Sequence, residues 1–169
     1  MLDPKTGHDE GEMTMNDAVD SQIDQIDRKI IAELQGDGRL TVTALARRVG
    51  LSKTPCQVRL KRLIDAGFIR GFRAVTDPVK LGLGHIAFAE VKLSDTREAA
   101  LAAFARAVLQ VREIEECHMM ASSFDYLLKV RTADIHSYRR VLGEKISSLP
   151  HVASTSTFVV MESIIESGA

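Results

Sequence analysis

Apolar residues recur with a helical period early in the chain. Ile23, Ile26, Ile30, Ile31 and Leu34 form one stripe, with Asp24, Arg28, Lys29 and Glu33 off it. That predicts a helix over residues 23–35. Gly36-Asp37-Gly38 stops it, because glycine enters the left-handed conformation that closes helices at little cost. Thr41 is placed to cap a second, short helix that buries Val42, Leu45, Ala46 and Val49, turns Arg47 and Arg48 outward and ends at Gly50. Ser52 is placed to cap a third helix running through Ala66. Pro55 falls in its first turn, where a missing N–H does no harm, and Cys56, Leu60, Leu63 and Ile64 share one face. Two helices separated by Gly50-Leu51-Ser52 have the helix-turn-helix arrangement. The run over residues 68–75 alternates enough to predict a short hairpin, a wing, which Asp77-Pro78 breaks; residues 77–84 then predict an interdomain hinge. Gly82-x-Gly84 lacks the third glycine and the preceding strand of a dinucleotide fingerprint, so it carries no nucleotide reading.

From residue 85 the pattern changes to β-α-β-β-α-β. A strand over 85–93 is followed by Asp95 and Glu98, spaced as a capping box, and by a helix striped with Leu101, Phe104, Ala105 and Val108. Two strands follow, near 114–120 and 124–131. Asp134 opens a second helix striped with Tyr138, Val141, Leu142, Ile146 and Leu149 and ended by Pro150; the last strand spans 154–161. This order is the split-βαβ, ferredoxin-like pattern, a four-stranded antiparallel sheet with two helices on one face. The fold class is therefore α+β: a winged helix-turn-helix over residues 21–76, a hinge, and a ferredoxin-like domain over 85–165. A polar, acidic tail over residues 1–20 has no apolar period and is expected to be disordered. On the first strand Ala87, Ala89, Val91 and Leu93 alternate with Ile86 and Phe88, and on the last Phe158 and Val160 alternate with Val159 and Met161. Helices cover one face only, so an apolar second face predicts a symmetric homodimer, sheet against sheet.

Charge sharpens the picture. The formal net charge of −1 conceals segregation: residues 21–80 hold twelve Lys/Arg against six Asp/Glu, whereas the tail and the second domain are both net acidic. Residues 38–73 carry nine basic side chains against the single acid Asp65, the footprint of a polyanion-binding surface. Candidate contacts to double-stranded DNA are Arg39, Thr41, Arg47, Arg48, Ser52, Lys53, Thr54, Gln57, Arg59, Lys61, Arg62, Arg70 and Arg73. Gln57 has the chemistry to pair with adenine and Arg59 with guanine or a phosphate; Arg70 and Arg73 on the wing suit phosphates, which fix register without reading bases. No stretch is long and apolar enough to span a membrane, and two cysteines are too few for a disulfide framework, so a cytoplasmic protein is expected. Cys56 reads as a packed small hydrophobe. Cys117-His118 are adjacent on a strand and point to opposite faces, so they cannot chelate one metal unaided. The histidines are scattered, and no nucleophile elbow, phosphate loop or metal spacing occurs. No metal, cofactor or enzymatic activity is expected.

The runs Ile26-Asp27-Arg28-Lys29-Ile30-Ile31, Ala46-Arg47-Arg48-Val49-Gly50-Leu51-Ser52, Thr54-Pro55-Cys56 and Arg59-Leu60-Lys61-Arg62-Leu63 resemble the Lrp/AsnC family of transcription regulators. So do Glu116-Cys117-His118, residues 124–129, Tyr138-Arg139 and residues 157–162 further on. The resemblance covers about residues 22–165 in order and spacing. It implies amino-acid-responsive transcription control, dimers associating into octamer-type rings, and an effector site between dimers in the second domain. Met120, Ala121, Ser122, Ser123, Asp125, Tyr126, Thr155 and Thr157 are the candidate effector residues: hydroxyls donate to a carboxylate, and Asp125 accepts from an ammonium. The family's loop before Phe124 usually carries a glycine; where Ala121-Ser122-Ser123 stands here, a positive φ would strain Ser122. Segments 88–95, 118–126 and 151–158 look similar to regulators that activate proline-degradation genes, which makes proline the expected effector and leucine the next. Two other readings compete. One is a ferredoxin-like enzyme or metabolic regulator whose basic helices bind RNA or nothing; the other is an architectural DNA-binding protein that needs no ligand.

Overall fold

A computed structural model of the chain describes residues 22–166, so the acidic stretch read as a tail lies outside the described residues. The chain divides into two compact units between Ala74 and Val75. The first contains α1 (Gln25–Gly36), α2 (Val42–Val49) and α3 (Lys53–Asp65). Asp24 caps α1 by accepting from the Asp27 N–H at 2.9 Å, and the Asp27 carboxylate accepts from the Asp24 N–H at 3.0 Å. This is a capping box built from two aspartates. The helix does not stop on a left-handed glycine. It runs through Gly36 and closes at Asp37, which is extended and donates its N–H to the Glu33 carbonyl. Thr41 caps α2 as expected, accepting from the Ala44 N–H at 3.2 Å, and Gly50 takes the left-handed conformation with φ 76°. Ser52 holds the N-cap position of α3 without a side-chain cap bond.

Ile23, Ile30, Leu45, Ala46, Val49, Cys56 and Leu63 form the core of this unit. Ile64, placed on the buried stripe by periodicity, is instead exposed, in the last turn of α3. The expected wing hairpin is absent: residues 68–75 form no strand, and Phe72 and Val75 are exposed. Alternation supplies strand propensity, but a lone two-stranded ribbon without a third strand or a covering helix is marginal. Residues 77–84, the expected hinge, are folded into turns. Asp77 accepts from the N–H groups of Val79 and Lys80, and Leu83 closes a turn onto the Pro78 carbonyl at 2.8 Å.

The second unit is built from β1 (His85–Leu93), α4 (Glu98–Val108), β2 (Ile114–Met119), β3 (Tyr126–Thr132), α5 (Ile135–Val141) and β4 (Val152–Val159). The strands lie in the order β2-β3-β1-β4, every neighbouring pair antiparallel. Both helices pack on one face, where Ala87, Ala89, Val91, Leu128 and Val130 meet Phe104, Val108, Tyr138 and Ile146. Phe104 stacks on Tyr126 with ring centroids 4.5 Å apart. The Asp95–Glu98 capping box does not form. Asp95 bonds instead to the backbone N–H and guanidinium of Arg97, which becomes the N-cap residue. That local side-chain-to-backbone turn competes with the cap. Ala105 is exposed and Ala100 takes the buried place expected of it. Asp134 caps α5 as predicted, through the Ser137 N–H at 2.7 Å. Beyond Val141 the helix widens into a π turn over Leu142–Ile146, which no residue in that stretch announces.

On the other face of the sheet, Phe88 and Phe158 are directly paired across β1 and β4, and Phe158 is 54% exposed. Ile86 on that face is nonetheless buried. Residues 160–166 run back across this side: the Glu166 carboxylate accepts from Lys129 at 2.9 Å and from the Arg131 guanidinium, which also engages Glu115. Burial pulls the Lys129 ammonium down, but the two glutamates outweigh it and hold it above its ordinary value.

Candidate nucleic-acid interface and effector loop

A helix turns 100° per residue, so α3 presents distinct flanks. Cys56, Leu60 and Leu63 face the core. Lys53, Thr54, Gln57 and Lys61 are exposed on one side of that stripe, and Arg59 and Arg62 lie on the other. The first group has the composition of a major-groove reading face. The side chains of Lys53, Thr54 and Gln57 form no hydrogen bond within the described residues, so their donors and acceptors are available. Lys61 reaches Asp65 one turn on, an exposed pair that water and salt readily replace. Arg39, Arg47, Arg70 and Arg73 are also exposed, and Arg48 pairs with Glu33 at 2.9 Å on the surface. Thr41 and Ser52 sit at the exposed N-termini of α2 and α3.

The second flank is engaged internally. Arg59, expected to read guanine or hold a phosphate, donates to Asp24 at 2.5 Å and to Asp27 at 3.0 Å, with 29% of its side chain exposed. Arg62 donates to the other oxygen of Asp27. Asp27 is fully buried. Sequence reading did not single it out; the legible signal was an acid one turn into α1, matched by two basic residues three apart on α3. Asp24 is held below the usual carboxylate range by the Asp27 N–H and then by Arg59, and Arg59 is raised by its bonds to the Asp24 and then the Asp27 carboxylate.

In the second unit the loop between β2 and β3 carries most of the candidate effector residues. It is pinned at its ends: the Met120 N–H bonds the Asp125 carbonyl, and the Asp125 N–H bonds the Val91 carbonyl, both at 2.9 Å. The Asp125 carboxylate accepts from the Leu93 N–H at 2.8 Å and from Lys92 at 3.2 Å. It therefore anchors the loop to the end of β1, a different job from the free acceptor expected of it. Tyr126 is buried in the core against Phe104. Thr157 Oγ1 lies 2.7 Å from the Tyr138 hydroxyl, on the helix side of the sheet. Tyr126 and Thr155 flank Val91 in one row across three strands, so the loop and β4 do meet at the same end of β1. Ala121, Ser122 and Ser123 are exposed.

The strain expected at Ser122 is absent. Among the described residues the one non-glycine with positive φ is His151 (64°), whose carbonyl accepts from the Ser94 N–H and hydroxyl. A cavity of about 410 Å³ in this unit is lined by Glu113, Arg131, Ser137 and Arg140 and by none of the candidate effector residues. Among the described residues no group of three or more His, Cys, Asp or Glu could hold a metal ion, and no helix is long and apolar enough to cross a membrane.

Residues 23–70 match the winged helix-turn-helix DNA-binding model, and residues 86–169 match the Lrp/AsnC ligand binding domain. The chain is 67% identical over 146 residues to the proline dehydrogenase transcriptional activator of Rhizobium radiobacter, an alignment covering 86% of this chain and 94% of the relative. It is 44% identical to the leucine-responsive regulatory protein of Escherichia coli, over 86% of this chain and 88% of that one. Among solved structures, the L-Met complex of a transcriptional regulator from Neisseria meningitidis superposes with a TM-score of 0.79 at 33% identity, covering 85% of this chain and 93% of that chain. With both units matched in order and a close relative aligned over most of its length, the chain belongs to the Lrp/AsnC family: it is a DNA-binding transcription regulator and not an enzyme.

Proposed function

We propose that the protein is a proline-responsive activator of genes for proline breakdown. The observation that carries this reading is the two-thirds identity, along nearly the whole of both units, to a relative named for activating proline dehydrogenase. Lys53, Thr54, Gln57 and Lys61 enter the major groove and read base edges; Arg39, Arg47, Arg48, Arg70 and Arg73, with Thr41 and Ser52 at helix starts, hold phosphates. The exposed Phe158 beside Phe88 supports a homodimer through the outer sheet face. Such a dimer presents two reading helices to half-sites about one turn, ~34–36 Å, or a multiple apart. Proline binds at the loop over residues 120–125, where the hydroxyls of Ser122 and Ser123 meet its carboxylate. In a single chain that loop is open, so a neighbouring subunit in a ring of dimers completes the site and excludes water. Asp125 keeps the loop in place.

The test is calorimetry against L-proline, L-leucine and L-methionine, paired with footprinting of DNA from upstream of a proline dehydrogenase gene of the source genome. Proline should bind and change the footprint, and log K for DNA should fall with log salt with a slope of order −0.9 per phosphate contact. Leucine binding without proline binding replaces the effector by that of the 44% identical relative. DNA binding untouched by every amino acid leaves the architectural reading.

A further inference from the structure

Asp27 is a carboxylate with no solvent-exposed surface. Burying such a charge is costly unless it is paired and hydrogen-bonded. It is both. One oxygen accepts from Arg59 at 3.0 Å; the other accepts from the Asp24 N–H at 3.0 Å and from Arg62. Two elements thus converge on one side chain: the start of α1 and the flank of α3 opposite its reading face. Arg59 also reaches the N-cap Asp24 at 2.5 Å; the rest of the α1–α3 contact is apolar, and apolar packing is non-directional. A stripe of Cys56, Leu60 and Leu63 turns one side of α3 to the core but sets its roll less sharply than a directional bond does. Two charge-assisted hydrogen bonds from residues three apart do fix it. The lever is long enough to matter. Side chains extend about 5–6 Å from a helix axis, so a roll of roughly 20° moves their tips by about 2 Å, enough to break a hydrogen bond to a base edge.

We infer that Asp27 is the positioning residue of DNA recognition: touching no DNA itself, it holds α3 in its reading orientation through Arg59 and Arg62 and keeps both guanidinium groups off the phosphates. Selectivity is thereby separated from electrostatic attraction. Loss of Asp27 harms the first and feeds the second, because Arg62 is released to contact any duplex and Arg59 is left with Asp24 alone.

The experiment uses the full chain and two probes, the duplex that the wild type selects from a random library and a random-sequence duplex of equal length. Asp27→Asn keeps the volume and removes the charge. Its affinity for the selected duplex should fall at least tenfold, while affinity for the random duplex holds or rises and its salt slope steepens by up to ~0.9 for each new phosphate contact. A parallel fall on both duplexes, or a selectivity ratio within twofold of wild type, overturns the proposal. Should Asp27→Asn fail to fold, the triple variant Asp27→Asn/Arg59→Gln/Arg62→Gln removes both sides of the network and strands no buried charge, Asp24 being half exposed. It should lose selectivity without gaining random-duplex affinity; a folded triple variant that keeps wild-type selectivity equally overturns it.

Discussion

Phe104→Ala tests the architecture of the second unit where its layers meet. Phe104 is fully buried on α4, and its ring stacks on Tyr126 of β3 with centroids 4.5 Å apart, so one side chain joins helix to sheet. Truncating a buried phenylalanine costs about 3–5 kcal/mol, the lost transfer energy plus the cavity left behind. The aromatic pair accounts for roughly 0.5–1.5 kcal/mol of that. On its outer side α4 carries the exposed Ala105 and Leu109, so nothing there blocks a small inward shift of the helix. The expected loss is therefore in the lower part of the range, about 3–4 kcal/mol. For a unit of this size each kcal/mol moves Tm by ~4–8 °C, which gives a fall of roughly 12–30 °C. The protein supplies its own reporter. It has no tryptophan, and its two tyrosines, Tyr126 and Tyr138, both lie in the core of the second unit. Tyrosine fluorescence in a urea titration at fixed protein concentration follows this unit alone, while far-UV circular dichroism follows both. A loss below about 1 kcal/mol at unchanged m would refute the placement of Phe104 at the helix–sheet seam.

Acid should destabilise the protein. The carboxyls of Asp24, Glu113, Glu116, Asp134 and Glu166 are all held below their ordinary values, and Asp95 is lowered to about 2, chiefly by the Arg97 side chain. Each therefore contributes stability that is present above its unfolded pKa of ~4 and lost as pH falls through the folded one. Urea midpoints should be flat above pH ~5 and decline between pH ~4 and ~2; a midpoint that rises on acidification would contradict the assigned contacts. Phe88→Asp should yield monomers in light scattering and weaken DNA binding, because it puts a charge on the outer sheet face beside Phe158; a variant that stays dimeric would place the interface elsewhere.

The order of elements was legible because hydrophobic period and cap residues agreed. Thr41, Gly50 and Asp134 each do what their position in the sequence demands. The misses have separate physical causes. Asp95 has the spacing of a capping box but finds the Arg97 N–H and guanidinium nearer. Gly36 permits a left-handed stop, yet the helix continues through it to Asp37. Residues 68–75 alternate like a hairpin and have no strand beside them. The π turn after Val141 carries the apolar stripe on to Ile146 and Leu149 by widening one turn, a backbone adjustment that periodicity cannot register.

The basic surface was legible as a composition, not as a geometry. Counting nine cations over residues 38–73 locates the nucleic-acid face but treats every cation as equivalent. The fold divides them. Arg59 and Arg62 turn toward two carboxylates more than thirty residues earlier, and only tertiary structure brings those groups together. The same holds for the effector loop. Asp125 looks like a free acceptor until β1 is laid beside it and the Leu93 N–H takes its carboxylate. Tyr126 looks like a ligand contact until Phe104 stacks on its ring. Asp27, Arg59 and Arg62 in the first unit and Asp125 and Tyr126 in the second are spent on holding the candidate sites in shape. Among the exposed groups that the proposed function assigns to ligands are quieter ones: Thr54 and Gln57 on α3, Ser122 and Ser123 in the loop. Their polarity is ordinary, and only the scaffold around them makes it specific.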